Sequence, residues 1–317
     1  MISAYSRTNC PGTNKIVIPH IFERRKASAL PRLVCTLALA SLLSTTQLHA
    51  APSEPDFFSL SPRAWAEDAA KNEIKVIEYG KSFLRYRIHT IDSKGNQLRD
   101  VIETRDGTVA RLIAKEDRPL TSQEDADEHT RLKAMIDSPD AFARHIRGDA
   151  SGKKLAVDLI RLMPQAMIYT YAPGQPQRSH PVTDGTPEIV LDFEPNPGWN
   201  PPSMTAQALT GLKGRIWIDA RSHYMTRLEG TIFKQVNVGL GMVAHIYPGG
   251  QLSFEQAQVA PNRWIFSHFV EHVTVRALMF KTLKEDMDIQ GSNFTEIAEM
   301  PYADAIRLLL ASPVPTR

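Results

Sequence analysis

The segment Gly214-Arg-Ile-Trp-Ile-Asp219 is followed by a short turn, Ala220-Arg-Ser-His223, and by a longer run over residues 224–238. Along this run the even positions are mostly apolar and the odd positions are mostly polar. The apolar positions are Tyr224, Leu228, Ile232, Val236 and Val238, and the polar ones are Arg227, Glu229, Gln235 and Asn237. Because successive side chains of a strand point to opposite faces, this period of two predicts strands with one buried and one solvated face.

More strands are predicted on the C-terminal side of this segment. A further run begins at Leu240, and the turn Tyr247-Pro-Gly-Gly250 leads into a strand over residues 252–259. Pro261-Asn262 then leads into a long run over residues 264–280. Turn residues at such regular intervals predict an antiparallel meander.

The N-terminal side adds a helix and three strands. Ser61 and Pro62 match an N-cap and a first helical residue, which predicts a helix that continues to about residue 78. Alternation predicts strands over residues 83–91, 98–104 and 109–114, with turns at Ser93-Lys-Gly-Asn96 and Arg105-Asp-Gly107. Three strands from one contiguous segment strengthen the prediction of a meander.

Between residues 119 and 164 the apolar period becomes helical. Thr121-Ser-Gln-Glu124 is a capping-box pattern, Ser138-Pro139 is expected to divide two helices, and another helix is predicted over residues 153–163. A short helix over residues 205–212 and an amphipathic C-terminal helix over residues 302–310 are also predicted. Charged residues cover one side of the central helices, so these helices are expected to shield one surface of the sheet.

The first fifty residues have the pattern of an export signal. A basic segment precedes the apolar run Leu33-Val-Cys-Thr-Leu-Ala-Leu-Ala-Ser-Leu-Leu43, and Leu48-His-Ala50 offers a cleavage site. Residues 1–50 are therefore predicted to be a signal peptide and residues 51–317 a single domain. A retained membrane anchor is the alternative, although the apolar run is short for a membrane span. A translation start placed too early would equally explain the long basic segment.

Removing residues 1–50 changes the charge and the cysteine content. It takes away six of the 37 Lys and Arg residues and one of the 35 Asp and Glu residues, which leaves a formal charge of −3. The basic character of the whole chain therefore comes from the export signal, and nucleic-acid binding loses its main support. Both cysteines, Cys10 and Cys35, lie in the removed part, so no disulfide or thiol chemistry is expected.

The segment Glu194-Pro-Asn-Pro-Gly-Trp-Asn-Pro-Pro202 predicts a rigid loop around Trp199. A loop of this size in a compact domain can be a lid or a partner surface. The alternative is a solvent-facing connection with the tryptophan tucked beneath it.

The order of these elements resembles a known family. The export signal, early helix, strands, covering helices, Pro-rich loop and short helix precede a Gly-Arg-Ile-Trp-Ile-Asp strand that leads into Thr226-Arg-Leu-Glu-Gly230. This order is similar to the lipoprotein-sorting carriers of the LolA/LolB type and their bacterial outer-membrane-lipoprotein-sorting relatives, over most of residues 60–295. The resemblance implies an α+β fold, an incomplete antiparallel β-barrel whose concave face is covered by helices. It also implies a cavity that holds lipoprotein acyl chains or another hydrophobic ligand.

Alternation along the predicted strands gives a candidate lining for such a cavity. A strongly curved sheet whose inner side chains do not fill the space leaves an apolar pocket, and binding is driven by about 0.8 kcal/mol per methylene removed from water. A shift of one residue in register would move a strand's set to the opposite face. Each position is also an ordinary core candidate. The candidate ligand-binding residues are Tyr86, Ile88, Leu228, Ile232, Met242, Ile246, Phe254, Trp264 and Phe266.

One motif with catalytic character is His268-Phe-Val-Glu271-His272, which matches the H-x-x-E-H pattern of metalloproteases. That chemistry requires a helix, because only there do the two histidines share a face closely enough to chelate zinc. The β-branched and aromatic flanks favour a strand, in which the two histidines would lie about 13 Å apart. No metal and no catalytic residue are therefore predicted.

Three classes of function follow. The first is a periplasmic carrier or binding protein for lipid or acylated lipoprotein, acting without a cofactor as a monomer in peripheral contact with membranes. The second is a periplasmic sensor or scaffold module of the same fold, with an envelope protein as its partner. The third is a secreted zinc-dependent hydrolase that uses His268, Glu271 and His272.

Overall fold

The computed structural model describes residues 59–78, 82–175, 177–178, 187–239, 243–261, 263–277 and 281–313. The chain divides into residues 1–53 and residues 54–317, and all described residues belong to the second unit. The predicted signal peptide and the candidate lining residue Met242 lie outside the described residues.

The described elements are strands, four α-helices and one 3-10 helix. The helices are α1 (Pro62–Glu78), α2 (Ser122–Asp137), α3 (Pro139–Ala166) and α4 (Tyr302–Ala311), with the 3-10 helix at Thr205–Gly211. The strands are β1 (Phe83–Asp92), β2 (Gly95–Thr104), β3 (Gly107–Lys115), β4 (Arg118–Pro119), β5 (Met167–Tyr171), β6 (Gln177–Arg178), β7 (Pro187–Pro195), β8 (Leu212–Asp219), β9 (Met225–Ile232), β10 (Val236–Val238), β11 (Ala244–Ile246), β12 (Gln251–Ala260), β13 (Arg263–Ala277) and β14 (Lys281–Ile297).

All described strands belong to one antiparallel sheet, whose main path has the order β4-β3-β2-β1-β14-β13-β12-β9-β8-β7-β5. Within the described part of the chain this sheet is open, with β4 at one edge and β5 at the other. Strands β10 and β11 pair with each other beside β13, and β6 pairs with β7. The predicted α+β class with a large antiparallel sheet is therefore confirmed.

Near the centre of the sheet, the first strand of the described chain pairs with the last one. The last strand, β14, lies between β1 and β13, with Ile88 opposite Gly291 and Phe269 opposite Ile289. The register of β1 against β14 shifts between Arg85 and Arg87. Strands β1, β2 and β3 form one meander, and β14 connects them to the meander that the C-terminal half forms.

One face of the sheet, here called the α1 face, packs against α1 and the second half of α3. Directly opposite residues of antiparallel strands share a face, so a continuous row runs across it. The row consists of Tyr171, Leu191, Ile216, Leu228, Phe254, Phe269, Ile289 and Thr90. Buried residues of this face, including Leu191, Ile216 and Leu228, form the largest apolar cluster with Trp65 of α1, against which Leu159 of α3 also packs.

The opposite face, here called the α4 face, carries a second apolar cluster. Ile102 of β2 and Val109 of β3 are buried there against Leu132 of α2, Phe142 of α3 and Ile306 of α4. Helices therefore pack on both faces of the sheet, which corrects the expectation that they shield one surface only. The reason is that α2, α4 and the first half of α3 bury apolar side chains that β2 and β3 present on the far side.

A buried arginine fixes α4 in this position. The Nη1 atom of Arg111 donates hydrogen bonds to the carbonyl oxygens of Leu309 (2.7 Å) and Ser312 (3.0 Å) at the end of α4. Its Nη2 atom donates to Asp125 of α2 at 3.0 Å. The last carbonyls of a helix have no partner within the helix, so a cation at this end satisfies them and also favours the helix dipole.

Side chains also cover the backbone of β3 near the edge of the sheet. Glu128 accepts a hydrogen bond from the backbone N–H of Leu112 (2.7 Å), and Arg131 donates one to the carbonyl of Ala110 (2.6 Å). An edge strand with free backbone groups invites pairing with another chain. Helix α2 thus occupies polar groups of β3 that β4, only two residues long, leaves open.

Several predicted elements are confirmed and others are corrected. Ser61 caps α1, and Thr121 with Glu124 forms both hydrogen bonds of a capping box. The helix predicted over residues 153–163 is part of the continuous helix α3, and the strand predicted over residues 224–238 is interrupted between β9 and β10. Strand β14 was not predicted, because polar and charged residues fill its exposed positions.

Candidate functional site

A strip of partly buried apolar side chains lies on the α1 face, on the three adjacent strands β12, β13 and β14. Phe254, Phe269 and Ile289 form one row across these strands. Leu252 and Met287 lie in the next row, and Val273 follows along β13. We call these six residues the apolar strip, and each of them is partly buried rather than enclosed.

The apolar strip begins where the cover of α1 ends. Gln256 of β12 is fully buried beneath α1, where its Nε2 atom donates hydrogen bonds to both carboxyl oxygens of Glu73 and to the carbonyl of Met225. Phe254 and Leu252 lie two and four residues earlier on the same face of β12, and both keep some exposure. Helix α1 therefore covers one end of the face and leaves apolar side chains accessible beyond it.

The contact between Glu73 and Gln256 is a buried polar pair with one unfilled acceptor. Burial raises the pKa of Glu73 to about 8, while the hydrogen bond from Gln256 partly offsets this effect. Among the described residues, none donates a hydrogen bond to the Oε1 atom of Gln256. Because burial penalises the charged form, the neutral acid fits this site beneath α1 better than the carboxylate does.

A single carboxyl group interrupts the apolar strip. Glu271 of β13 lies directly opposite Leu252 of β12 and Met287 of β14. Burial raises the pKa of Glu271, and repulsion from Glu285 raises it further. Sequence reasoning considered this residue only as a catalytic base, whereas the structure places it within an apolar surface.

A close approach of the strands shapes one border of the strip. A Cβ atom added to Gly230 of β9 would lie 2.9 Å from Leu212 Cδ1 and 3.1 Å from Leu252 Cγ. Real Cβ contacts are rarely this short, so a larger residue would displace one of the two leucines. Glycine at this position leaves room for Leu212 and for Leu252, which forms the border of the strip on this side.

The structure distributes the predicted lining residues between two clusters rather than one pocket. Leu228 and Ile232 are buried in the cluster beneath α1, and Ile246 and Phe254 pack against its edge. Tyr86 is buried in a separate cluster with Leu84, and Ile88 and Phe266 pack against that cluster. Trp264 is buried and stacks on Tyr224, with ring centroids 5.2 Å apart.

The predicted lining residues therefore differ in how much of their surface is exposed to a ligand. Leu228, Ile232, Tyr86 and Trp264 are at most 9% exposed, so the protein's own side chains already cover them. Alternation alone could not distinguish them from Phe254, which keeps some exposure. The sequence analysis did not include Phe269, Met287 and Ile289. Met287 and Ile289 are two positions apart, and this spacing could have indicated that they share a face of a strand.

The histidine motif lies on a strand, as its flanks predicted. His268 and His272 belong to β13 and share the α4 face, while Glu271 points to the α1 face. His268 contacts Asp288 at 2.9 Å and His272 contacts Asp286 at 3.0 Å, both across the β13–β14 pair. This geometry separates the three groups that zinc-dependent hydrolysis would require together.

The loop around Trp199 follows the simpler of its two predicted interpretations. Trp199 is partly buried and packs against the cluster beneath α1. Its backbone N–H donates to the carbonyl of Asn196 at 3.1 Å, which closes a turn. The tryptophan thus anchors the connection between β7 and β8 to the core.

Two concave regions of the described structure, both away from the apolar strip, are lined mostly by polar or charged residues. One pocket of about 340 Å³ lies between α1 and the turn before β9 and is lined by Asp68, Lys71, Asn72, Lys75, Arg221, Ser222 and His223. Another of about 530 Å³ lies between α1, α3 and the turn after β2, and its lining includes Arg105, Lys154, Asp158 and Arg161. Ion pairs within these linings, such as Lys154 with Asp158, partly neutralise them.

Comparisons with known proteins give no assignment. No family model, curated protein or solved structure matches the chain. In the described ranges no helix is long and apolar enough to cross a membrane. The described residues also contain no group of three or more His, Cys, Asp or Glu side chains placed to hold a metal ion.

Proposed function

We propose that the protein is a periplasmic carrier or binding protein that holds the acyl chains of a lipid or lipoprotein on the α1 face. The single observation that carries this proposal is the apolar strip, which continues the buried core of the α1 face beyond the area that α1 covers. The resemblance to lipoprotein-sorting carriers and the export signal in the sequence point to the same role.

We also propose that the sheet curves into a half-barrel with the strip on its concave side. Helix α3 is consistent with this shape, because Phe142 packs in the α4-face cluster of β2 and β3 while Leu159 and Leu162 pack against the α1-face cluster of β5, β7 and β8, so the two edge regions of the sheet lie within the length of one helix. A helix of 28 residues is about 42 Å long. It therefore reaches from one edge region of the sheet toward the other.

The size of the strip gives an estimate of affinity. If an acyl chain places about eight methylene groups against the strip, burial contributes about 6 kcal/mol at about 0.8 kcal/mol each. This free energy corresponds to a dissociation constant of tens of micromolar, before the cost of ordering the chain. Binding assays should therefore cover the micromolar range.

The test is displacement of a fluorescent fatty-acid probe from purified residues 51–317. Phe254→Glu places a carboxylate in the strip, where it must protonate or admit water, so probe affinity should fall at least tenfold. Thr231→Glu is the matched control, because Thr231 lies on the opposite face of the neighbouring strand β9, across from Lys213. Thermal melts separate lost binding from lost folding.

The outcomes decide between the two leading functions. Saturable binding that Phe254→Glu abolishes in a folded protein supports the carrier. If the folded wild-type protein binds no probe and organic extracts of it contain no lipid, a sensor or scaffold module is favoured. One observation already favours that second function: the protein's own side chains cover Leu228, Ile232, Tyr86 and Trp264.

A further inference from the structure

Glu271 is surrounded by apolar side chains on all four sides within the sheet. Its cross-strand neighbours are Leu252 and Met287, and its neighbours on the same face of β13 are Phe269 and Val273. Burying a charge in such surroundings costs free energy unless a partner compensates. A glutamate at this position therefore does not stabilise the fold of the protein alone.

Two carboxyl groups that are buried more deeply than Glu271 have partners. Glu103 accepts hydrogen bonds from Arg263 at 2.8 and 2.9 Å, and Glu128 accepts from Arg131 at 2.7 Å. For Glu271, by contrast, the described residues supply no hydrogen-bond donor and no cation. Its carboxylate oxygens remain available to a group from outside.

The charge around Glu271 has one sign. Glu285 lies on the same face, one row further along β14 and opposite Val273, and it contributes to the raised pKa of Glu271. On the α1 face, β12 contributes residues 252, 254 and 256, β13 contributes 269, 271, 273 and 275, and β14 contributes 283, 285, 287 and 289. None of these residues is Lys or Arg. An anionic head group placed here would meet two carboxylates, whereas a cationic one would be attracted to both.

We propose that the ligand of the apolar strip is a cationic amphiphile, with a long alkyl chain on the strip and a protonated amino group against Glu271 and Glu285. This proposal rests on the proposed function and narrows it, because it selects amino-bearing chains over free fatty acids. The ammonium group donates hydrogen bonds to Glu271, and the exposed Glu285 adds a longer-range attraction.

The experiment compares three twelve-carbon ligands that differ in the head group alone: dodecylamine, dodecanol and laurate. Each displaces an uncharged fluorescent hydrocarbon probe from residues 51–317 at neutral pH. We expect dodecylamine to bind at least tenfold more tightly than dodecanol, as a hydrogen bond to a charged group typically contributes. Laurate should bind more weakly than dodecanol.

Two variants locate the effect. Glu271→Gln should bring the affinity for dodecylamine close to that for dodecanol, while dodecanol binding changes less than twofold. Asp286→Asn is the control, because it removes one negative charge on the same pair of strands but on the α4 face, where Asp286 contacts His272. It should leave the preference for the amine intact.

The results separate the two proposals. Saturable binding of all three ligands with equal affinity, or a preference for the amine that Glu271→Gln leaves unchanged, overturns the cationic ligand but keeps the carrier function. Tighter binding of laurate than of dodecanol overturns it in the same way. Absence of saturable binding by any of the three ligands refutes both.

Discussion

Replacing Glu73 with Gln should remove a pH dependence of folding that this buried carboxyl creates. Burial raises the pKa of Glu73 in the folded protein to about 8, whereas its ordinary value is 4.5. The folded chain therefore keeps a proton that the unfolded chain has lost. The stabilisation is fully present below pH 4.5 and is lost progressively as the pH rises to about 8.

The size of the effect follows from the difference between the two pKa values. Each unit corresponds to about 1.4 kcal/mol. Between pH 5 and pH 8 the free energy of unfolding should thus fall by roughly 3 kcal/mol through this one group, after allowance for partial titration at both ends. Gln at position 73 cannot titrate and can still exchange hydrogen bonds with Gln256, so the variant should lack this fall.

The assay is urea denaturation at pH 5, 6, 7 and 8, with the free energy of unfolding extrapolated to water. The difference between Glu73→Gln and wild type cancels every other titrating group, and it should grow by roughly 3 kcal/mol in favour of the variant. Glu67→Gln, in the exposed ion pair with Arg63 on the same helix, is the control and should show no such growth. Parallel profiles for wild type and Glu73→Gln would refute the burial of this carboxyl beneath α1.

Two further predictions concern charged side chains elsewhere. Arg111→Met should lower the free energy of unfolding by about 3 kcal/mol, because it leaves the last carbonyls of α4 without partners. Thermal melts test this against the exposed control Arg307→Met, and equal melting temperatures would contradict it. Hydrogen bonds from Arg118 hold the pKa of Glu124 at about 2, so stability from this pair is present above the ordinary pKa and lost as the pH falls through about 2. Arg118→Gln should move that pKa upward in a carbon-13 NMR titration of the carboxyl, and an unchanged value would exclude Arg118 as the cause.

Structural features that depend on residues close together in the chain were predicted correctly from the sequence. The cap at Ser61, the capping box from Thr121 to Glu124 and the break at Ser138 each involve groups within a few residues of one another. For the same reason, the alternation in β9 correctly separated buried Leu228 from the polar face. The C-terminal helix was also predicted to within one residue.

Features that depend on contacts between residues far apart in the chain could not be predicted from the sequence. Strand β14 has apolar residues at Leu283, Met287 and Ile289, but Glu285 interrupts them and charged residues fill the positions between. Its place is fixed by β1 and β13. The extent of the apolar strip depends likewise on which part of the sheet α1 covers, and this involves the contact of Glu73 with Gln256, 183 residues later. Local alternation carries no information about either contact.

The central position of β14 has a consequence for the order of events during synthesis. Strand β1 is made early, yet it pairs with residues that emerge from the ribosome roughly 200 positions later. Until β14 exists, the first meander has an unpaired edge and no link to β13. Such long-range pairing is slow to form, so the complete sheet forms only after nearly all of the chain has been made. A nascent chain that ends before residue 281 would hold two separate half-sheets with no strand between them.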